Sequence, residues 1–583
     1  MRIHNPTITG SFTISGSNLS IDSSGNITTL GSLTATEYTV SSSVTALTIT
    51  TASGSVNFGD TQDDIHRFTG SLEVTGSSIA LGGVHSNVIV GKNTNLNINP
   101  GSTGLTAIGL NAAGGNASTE LGGDDITTIG SQAGRNMEQN PHRTTLVGAQ
   151  TGRNLSVGID NTFVGALAGY QLTVADRNVF VGSYAGYQTV DVDNAVIIGY
   201  QAGYSNMTSA ADGTIAIGYQ AGYGITSGAS NVAIGKSALP ALSTGDSNLG
   251  IGDNAGSTLQ SGDFNHYIGM YSGFYQQTGD KNIAIGYRSQ QGVSSGNRNV
   301  SNNTSVGHNS LYNIVSNDST AVGYQAGYYA SGSNNTFVGS GAGQGGTTSA
   351  PFSSGENNTA VGYQALTAFT EGDHTTAIGY QAGKAQVDGY DNTYIGARSG
   401  QANAVGDGNV TLGDRALYSD TSGHRTIAIG KDALYAFSGS GTTVYNSDIT
   451  KIIAIGYHAA YYMGSTPGGS FPNATRSINN IVIGYHAAWS HYDGSSNVII
   501  GTEAVKGIGN HTQASVYIGE SSGQNVASGS YNVAVGAYTH RYATGSYNTF
   551  VGYEAGRGSL TSAPFSSGQN NTALGYRSLY GFT

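Results

Sequence analysis

Asn231-Val232-Ala233-Ile234-Gly235-Lys236-Ser237-Ala238 is one clean copy of a phrase that recurs along most of this 583-residue chain. In general form it is Asn, two variable residues, an aliphatic, Gly, two variable residues, then a small residue. It occurs about 27 times, with its Gly running from Gly91 to Gly575. The residue before the Gly is always Ile, Val or Leu, and the residue three after it is always Ala, Ser or Thr. Asn stands four before the Gly in 17 copies, and 13 of the 26 intervals between these glycines are 17 residues long. Three columns held in register over almost 500 residues define a repeat protein, and a period near 20 points to a solenoid or an array.

Before its Gly the phrase alternates. In Thr162-Phe163-Val164-Gly165 the β-branched residues fall two apart and share one strand face. The middle residue is mostly apolar as well (Phe163, Phe180, Ile197, Ala216, Phe337, Tyr394), which describes a strand covered on both faces. Glycine at this frequency excludes helical repeats. A rung of about 17 residues is too short for a strand plus a helix, so two short strands and two tight turns are expected. The Gly and Asn columns suit turn positions with φ above zero, and stacked Asn side chains can bond along the ladder. The eight prolines all lie outside the aliphatic-Gly core, as a hydrogen-bonded ladder requires. The fold expected is all-β, a parallel β-solenoid of about 27 rungs. At about 4.8 Å per rung it would form a shaft on the order of 130 Å. One apolar face fills the coil, and the other needs a cover; other copies of the chain about a shared axis, as a homotrimeric fibre, supply the simplest one.

The phrase resembles the head-domain repeat of trimeric autotransporter adhesins, Asn-Ser-Val-Ala-Ile-Gly-x-x-Ser. The best matches are Asn282-Ile283-Ala284-Ile285-Gly286-Tyr287-Arg288-Ser289 and the Asn231 to Ala238 segment, with Asn231, Ile234, Gly235 and Ala238 and Asn282, Ile285, Gly286 and Ser289 on the motif positions. The resemblance implies a left-handed parallel β-roll, three intertwined chains and an adhesive role. There are departures. Asn usually sits one residue nearer the Gly than in that family, although Asn194 to Gly199 keeps the longer spacing. The repeat is longer, and neither a heptad stalk nor a membrane barrel is visible. Repeats rich in Gly-Tyr-Gln-Ala-Gly-Tyr, as at Gly199 to Tyr204, are also similar to those of bacteriophage tail fibres.

Composition agrees with a fibre: 90 Gly, no Cys, a tenth of residues charged and a net charge of −12 with no basic stripe. Nucleic-acid binding is not expected, nor is membrane insertion, because no 18-residue apolar run exists. Residues 1–85 differ, with Thr-Gly-Ser strand runs such as Phe68 to Ser77. They read as a β-rich docking region facing a virion or baseplate protein. Residues 86–583 form the repeat shaft, with loop insertions near 110–130, 287–306, 340–361, 431–455, 457–483 and 553–574. Blocks 335–370 and 548–583 are identical at 25 positions, the mark of an internal duplication.

The 36 Tyr residues recur one and five positions after the Gly and should stack into columns. The same columns could alternatively present a sugar-binding stripe. Gln201, Gln220, Gln325, Gln364 and Gln381, two after the Gly, should form a hydrogen-bonded ladder, with His458 and His486 in their place in two coils. No catalytic residue and no metal or other cofactor is expected: Glu occurs nine times, no Asp/Glu pair recurs on neighbouring rungs, and no nucleophile, phosphate or zinc motif is present. Recognition of a host-surface glycan or protein is expected at the insertions, where Tyr445, Tyr461, Tyr462, Phe471 and Arg476 cluster with Trp489 just beyond. The leading expectation is a non-enzymatic tail fibre on a virion. A cell-surface adhesin or matrix filament is the alternative, and a glycan depolymerase the distant third.

Overall fold

The computed structural model describes residues 19–21, 27–29, 88–91, 103–114, 123–137, 141–294, 299–346, 352–437, 451–463, 478–490, 493–507, 511–526, 528–559 and 566–582. The chain divides into two units, Met1–Ile79 and Ala80–Thr583. In the first, strand Leu19–Ile21 pairs antiparallel with Ile27–Thr29.

The second unit is a parallel β-solenoid. Twenty-seven three-residue strands, from Val88–Val90 to Thr572–Leu574, stack in one ladder with one strand per coil. Register is strict: Ile215 pairs with Val232, Val232 with Leu249 and Leu249 with His266. Insertions leave it unchanged. Ile427–Ile429 pairs directly with Ile453–Ile455, and that strand with Ile481–Ile483, across the two longest intervals in the repeat. The interiors of those insertions, 438–450 and 464–477, lie outside the described residues. The single helical element among the described residues is a 3₁₀ turn at Ser209–Ala211.

Each coil has one regular strand, where the sequence pointed to two. The second is reduced to isolated bridges such as Val157–Val174, Ala330–Ser353 and Ala543–Ser566, plus one short parallel pair, Asp493–Ser495 with His511–Gln513. Frequent turns explain this, because the rest of the coil visits positive φ too often to run straight. Coil-to-coil backbone bonds persist through those turns, for example Gly152 N–H to Ala168 O and Thr226 N–H to Ser243 O.

In the strands the middle residue is buried and its two neighbours are half exposed, as in Ile215-Ala216-Ile217 and Val232-Ala233-Ile234. The small column points inward: Ala168, Ala202, Ala238 and Ser289 are completely buried. The repeat Gly is required twice over. Gly235 has φ 130, and a Cβ there would lie 2.6 Å from the Gly252 carbonyl of the next coil. The glycine four positions later trades volume with the strand-middle residue. Gly169, Gly186, Gly343 and Gly400 lie against Phe163, Phe180, Phe337 and Tyr394. Where Ala233, Ala360 or Ala428 occupies the strand, Leu239, Leu366 or Leu434 takes that glycine's place. The exchange is not general, since Ala216 and Ala377 keep Gly222 and Gly383.

The Asn column is a ladder, but not a positive-φ turn. Asn231, Asn248, Asn265 and Asn282 are buried. Asn231 Nδ2 donates to Gly245 O at 2.7 Å, and its Oδ1 accepts from the Asn248 N–H at 2.8 Å and from Asn248 Nδ2 at 3.2 Å. The positive φ falls on the preceding residue: Ser230, Ser247, Phe264 and Lys281 lie at φ 54–56. Asn194, the copy with the longer spacing, occupies that turn position (φ 57). Ala195 takes its inward place, and its N–H caps Asn178 Oδ1 at 2.8 Å.

Candidate recognition surface

The outer face of the turn after each repeat Gly carries three side-chain columns, at the first, second and fifth positions. In the first, Tyr200 stacks on Tyr219 with ring centroids 5.8 Å apart, Tyr363 on Tyr380 at 5.6 Å and Tyr457 on Tyr485 at 5.5 Å. In the fifth, Tyr170, Tyr187, Tyr204 and Tyr223 form a stack at 5.3, 5.3 and 5.0 Å. Ring faces in these columns are turned toward one another along the axis. The columns therefore offer edges and hydroxyls to solvent, and they lack the free apolar face that sugar stacking requires. This favours cross-coil stiffening over a continuous sugar stripe. In the second column, Gln220 Nε2 donates to Gln201 Oε1 and Gln381 Nε2 to Gln364 Oε1, both at 2.9 Å.

Between Gly413 and Lys506 the same columns carry different chemistry. The second position reads Arg415, Asp432, His458, His486 and Glu503 on successive coils. Arg415 Nη2 donates to Asp432 Oδ2 at 2.9 Å, and His458 Nε2 lies 3.3 Å from the same oxygen. Asp432 is 2 % exposed. His458 and His486 stack with centroids 5.1 Å apart, and Lys506 closes the row on Glu503 at 2.6 Å. Alongside, the fifth column runs Tyr418, Tyr435, Tyr461 and Trp489 at 4.9, 4.8 and 6.5 Å. The Lys506 ammonium sits 5.4 Å from the Trp489 ring and caps it. Tyr462 packs edge-on against Tyr461 and 5.9 Å from Trp489.

Burial is the main influence on the charges here. It lowers the His458 pKa, opposed by Asp432 and helped by Lys431 and Arg415. His486 is lowered by burial, Lys506 and His458, and burial pushes the Tyr461 hydroxyl up to about 12. Both imidazoles are therefore neutral at neutral pH. His458 Nδ1, His486 Nδ1 and Trp489 Nε1 are buried without a hydrogen-bond partner. Among the described residues no three His, Asp or Glu side chains gather as metal ligands, and no helix is long and apolar enough to cross a membrane.

Of the residues read from sequence, Tyr461, Tyr462 and Trp489 come together on adjacent coils, while Tyr445, Phe471 and Arg476 lie outside the described residues. Tyr461 and Trp489 belong to the regular fifth column rather than to the insertions. Their partners Arg415, Asp432, Tyr418, Tyr435 and Lys506 were missed, although each is found by counting from its repeat Gly. An Asp column was missed too. Six residues before the Gly, Asp176 accepts the Ile159 N–H at 2.9 Å, Asp193 the Asp176 N–H at 2.7 Å and Asp263 the Asp246 N–H at 2.8 Å. Carboxylates thus do recur on neighbouring coils, as caps for turn amides. No protein-family model and no curated protein matches this chain.

Proposed function

We propose that this chain is a structural fibre whose solenoid is a self-associating shaft, most directly the tail fibre of a virion that mediates attachment to a host. One observation carries the reading. The aliphatic residue before each Gly forms an unbroken outer stripe along the ladder, with Ile285, Val322, Val338 and Ile378 each 37–39 % exposed. Monomers seldom expose contiguous apolar patches beyond roughly 300–600 Å². A stripe that repeats at the coil rise is matched in period by another copy of the same ladder, which supports a homotrimer about a shared axis. The likeness of the Gly-Tyr-Gln-Ala-Gly-Tyr repeats to phage fibres supports the virion assignment. Docking to the virion is assigned to residues 1–85, and contact with a host glycan or protein to the coils and insertions between Gly413 and Lys506.

Antibodies raised against the shaft test the reading. They should decorate the tails of virions and block adsorption. Labelling confined to a bacterial surface, with no labelled virion, would overturn it in favour of an adhesin.

A further inference from the structure

The apolar core of the solenoid is not continuous. Its buried hydrophobic side chains fall into four clusters: Leu105 to Ala284, Val300 to Tyr394, Ala416 to Ala534, and Phe550 to Ala573. The first two gaps are filled by buried side chains that hydrogen-bond across coils. In the first, Ser289 Oγ lies 2.6 Å from Ser305 Oγ and 2.9 Å from Ser310 Oγ. In the second, Ser399 and Thr411 share a hydroxyl bond. Beside them Tyr394 Oη donates to Asn403 Oδ1 at 3.2 Å, and Asn403 Nδ2 donates to Asp420 Oδ2 at 3.1 Å. The third, between Ala534 and Phe550, holds His540, which packs between Tyr517 and Phe550 with neither ring nitrogen hydrogen-bonded; the Ser522–Thr539 hydroxyl pair lies one coil earlier, inside the third cluster.

These layers have a sequence cause. The inward small column, Ala in most coils, carries Ser289, Ser310 and Ser399 at the two layers, and Ser305 and Thr411 stand at strand-middle positions. A hydroxyl in the small column does not by itself break the core. Thr151 and Ser272 bond backbone carbonyls instead, and the first cluster runs through them. The backbone ladder also crosses both layers in register: Ala284 pairs with Ser305 and Tyr394 with Thr411. Only side-chain packing is interrupted.

In a one-dimensional array, stability is a sum of coil terms and nearest-neighbour interface terms. A buried hydroxyl pair contributes less to an interface than the apolar burial it replaces. The weakest interfaces then set where the array opens. We propose that the solenoid opens as three blocks joined at these two polar layers, so that the shaft yields locally while its blocks stay folded.

Hydrogen exchange of the full-length chain across a guanidinium gradient tests this. Strand amides within a block should share one denaturant dependence, with opening constants differing by at least about tenfold between neighbouring blocks. The steps should fall at the Ser289/Ser305 and Ser399/Thr411 layers. Making one layer apolar, with Ser399→Ala and Thr411→Val together, should shrink its step below about threefold and leave the other. Ser289→Ala with Ser305→Ala makes the same test at the other layer should the first pair fail to fold. Uniform opening along all coils of the unsubstituted chain would overturn the proposal. So would a step that persists after its layer has been made apolar.

Discussion

Gln201 and Ala202 are neighbours in sequence with opposite surroundings. Ala202 is fully buried in the small column, whereas Gln201 is half exposed and accepts one bond from Gln220. Ala202→Leu overpacks the coil and should cost about 1–3 kcal/mol. Gln201→Glu keeps the acceptor and should stay within about 0.5 kcal/mol of the parent. Equal losses of Tm would place Ala202 on the outside. His540 offers a sharper case. It is buried between Tyr517 and Phe550, neither ring nitrogen has a partner, and burial lowers its pKa to about 4. The unfolded chain binds that proton near pH 6.5. Stability is thus full above about pH 6.5 and declines as pH falls toward 4, by on the order of 3 kcal/mol. Leu stands at the equivalent position in coils such as those of Leu239, Leu366 and Leu417, at φ 46–54. His540→Leu should therefore fold and flatten this part of the pH dependence. An unchanged acid slope in urea titrations across pH 4–7 would show that His540 is not its source.

The coil is the element, and volume exchange within it makes a testable coupling. A Cβ on Gly186 would lie 2.5 Å from the Phe180 ring. Gly186→Leu and Phe180→Ala should each destabilise, the second by about 3–5 kcal/mol. Together they recreate the Ala233–Leu239 arrangement, and a double-mutant cycle should show a favourable coupling of about 1–3 kcal/mol; strict additivity would mean that the pair does not share space. What the sequence made legible follows the same physics. Gly235 and the small residue at Ala238 recur in every coil because each is fixed by one hard constraint, a Cβ that would meet the next backbone and a narrow interior; the aliphatic column of Ile234 is equally constant but half exposed. The turn positions were harder to read. Ser230, Phe264, Lys281 and Gln201 share positive φ yet have no chemistry in common, since exposed turns accept many residues when the ladder holds them. The second strand was overread for the same reason. In the recognition surface, Tyr461 and Trp489 were legible as aromatics but not as one stack. Their Gly456 and Gly484 are separated by an insertion that hides the constant offset of five.

Across the whole solenoid the question is what covers the outer aliphatic stripe. The residue before each Gly is Ile, Val or Leu in every coil, although it is half exposed beside the buried strand-middle residue. A solvent-facing strand position tolerates Thr, Lys or Glu, and the position two before the stripe does vary, from Thr162 to Val179 to His266. Uniform apolarity on an outward column therefore points to a partner that repeats at the same rise. In the proposed trimer, three copies about one axis would bury the three stripes together. The full-length chain should scatter light as a trimer, and Val322→Glu, Val338→Glu and Ile378→Glu combined should lower that mass. Because these side chains point away from the coil interior, the far-ultraviolet circular dichroism of the variant should keep its strand signal. A parent chain that is a stable monomer would remove the shared axis. A variant that loses its strand signal at the same time as its mass would mean that the stripe supports the coil itself rather than the contact between chains.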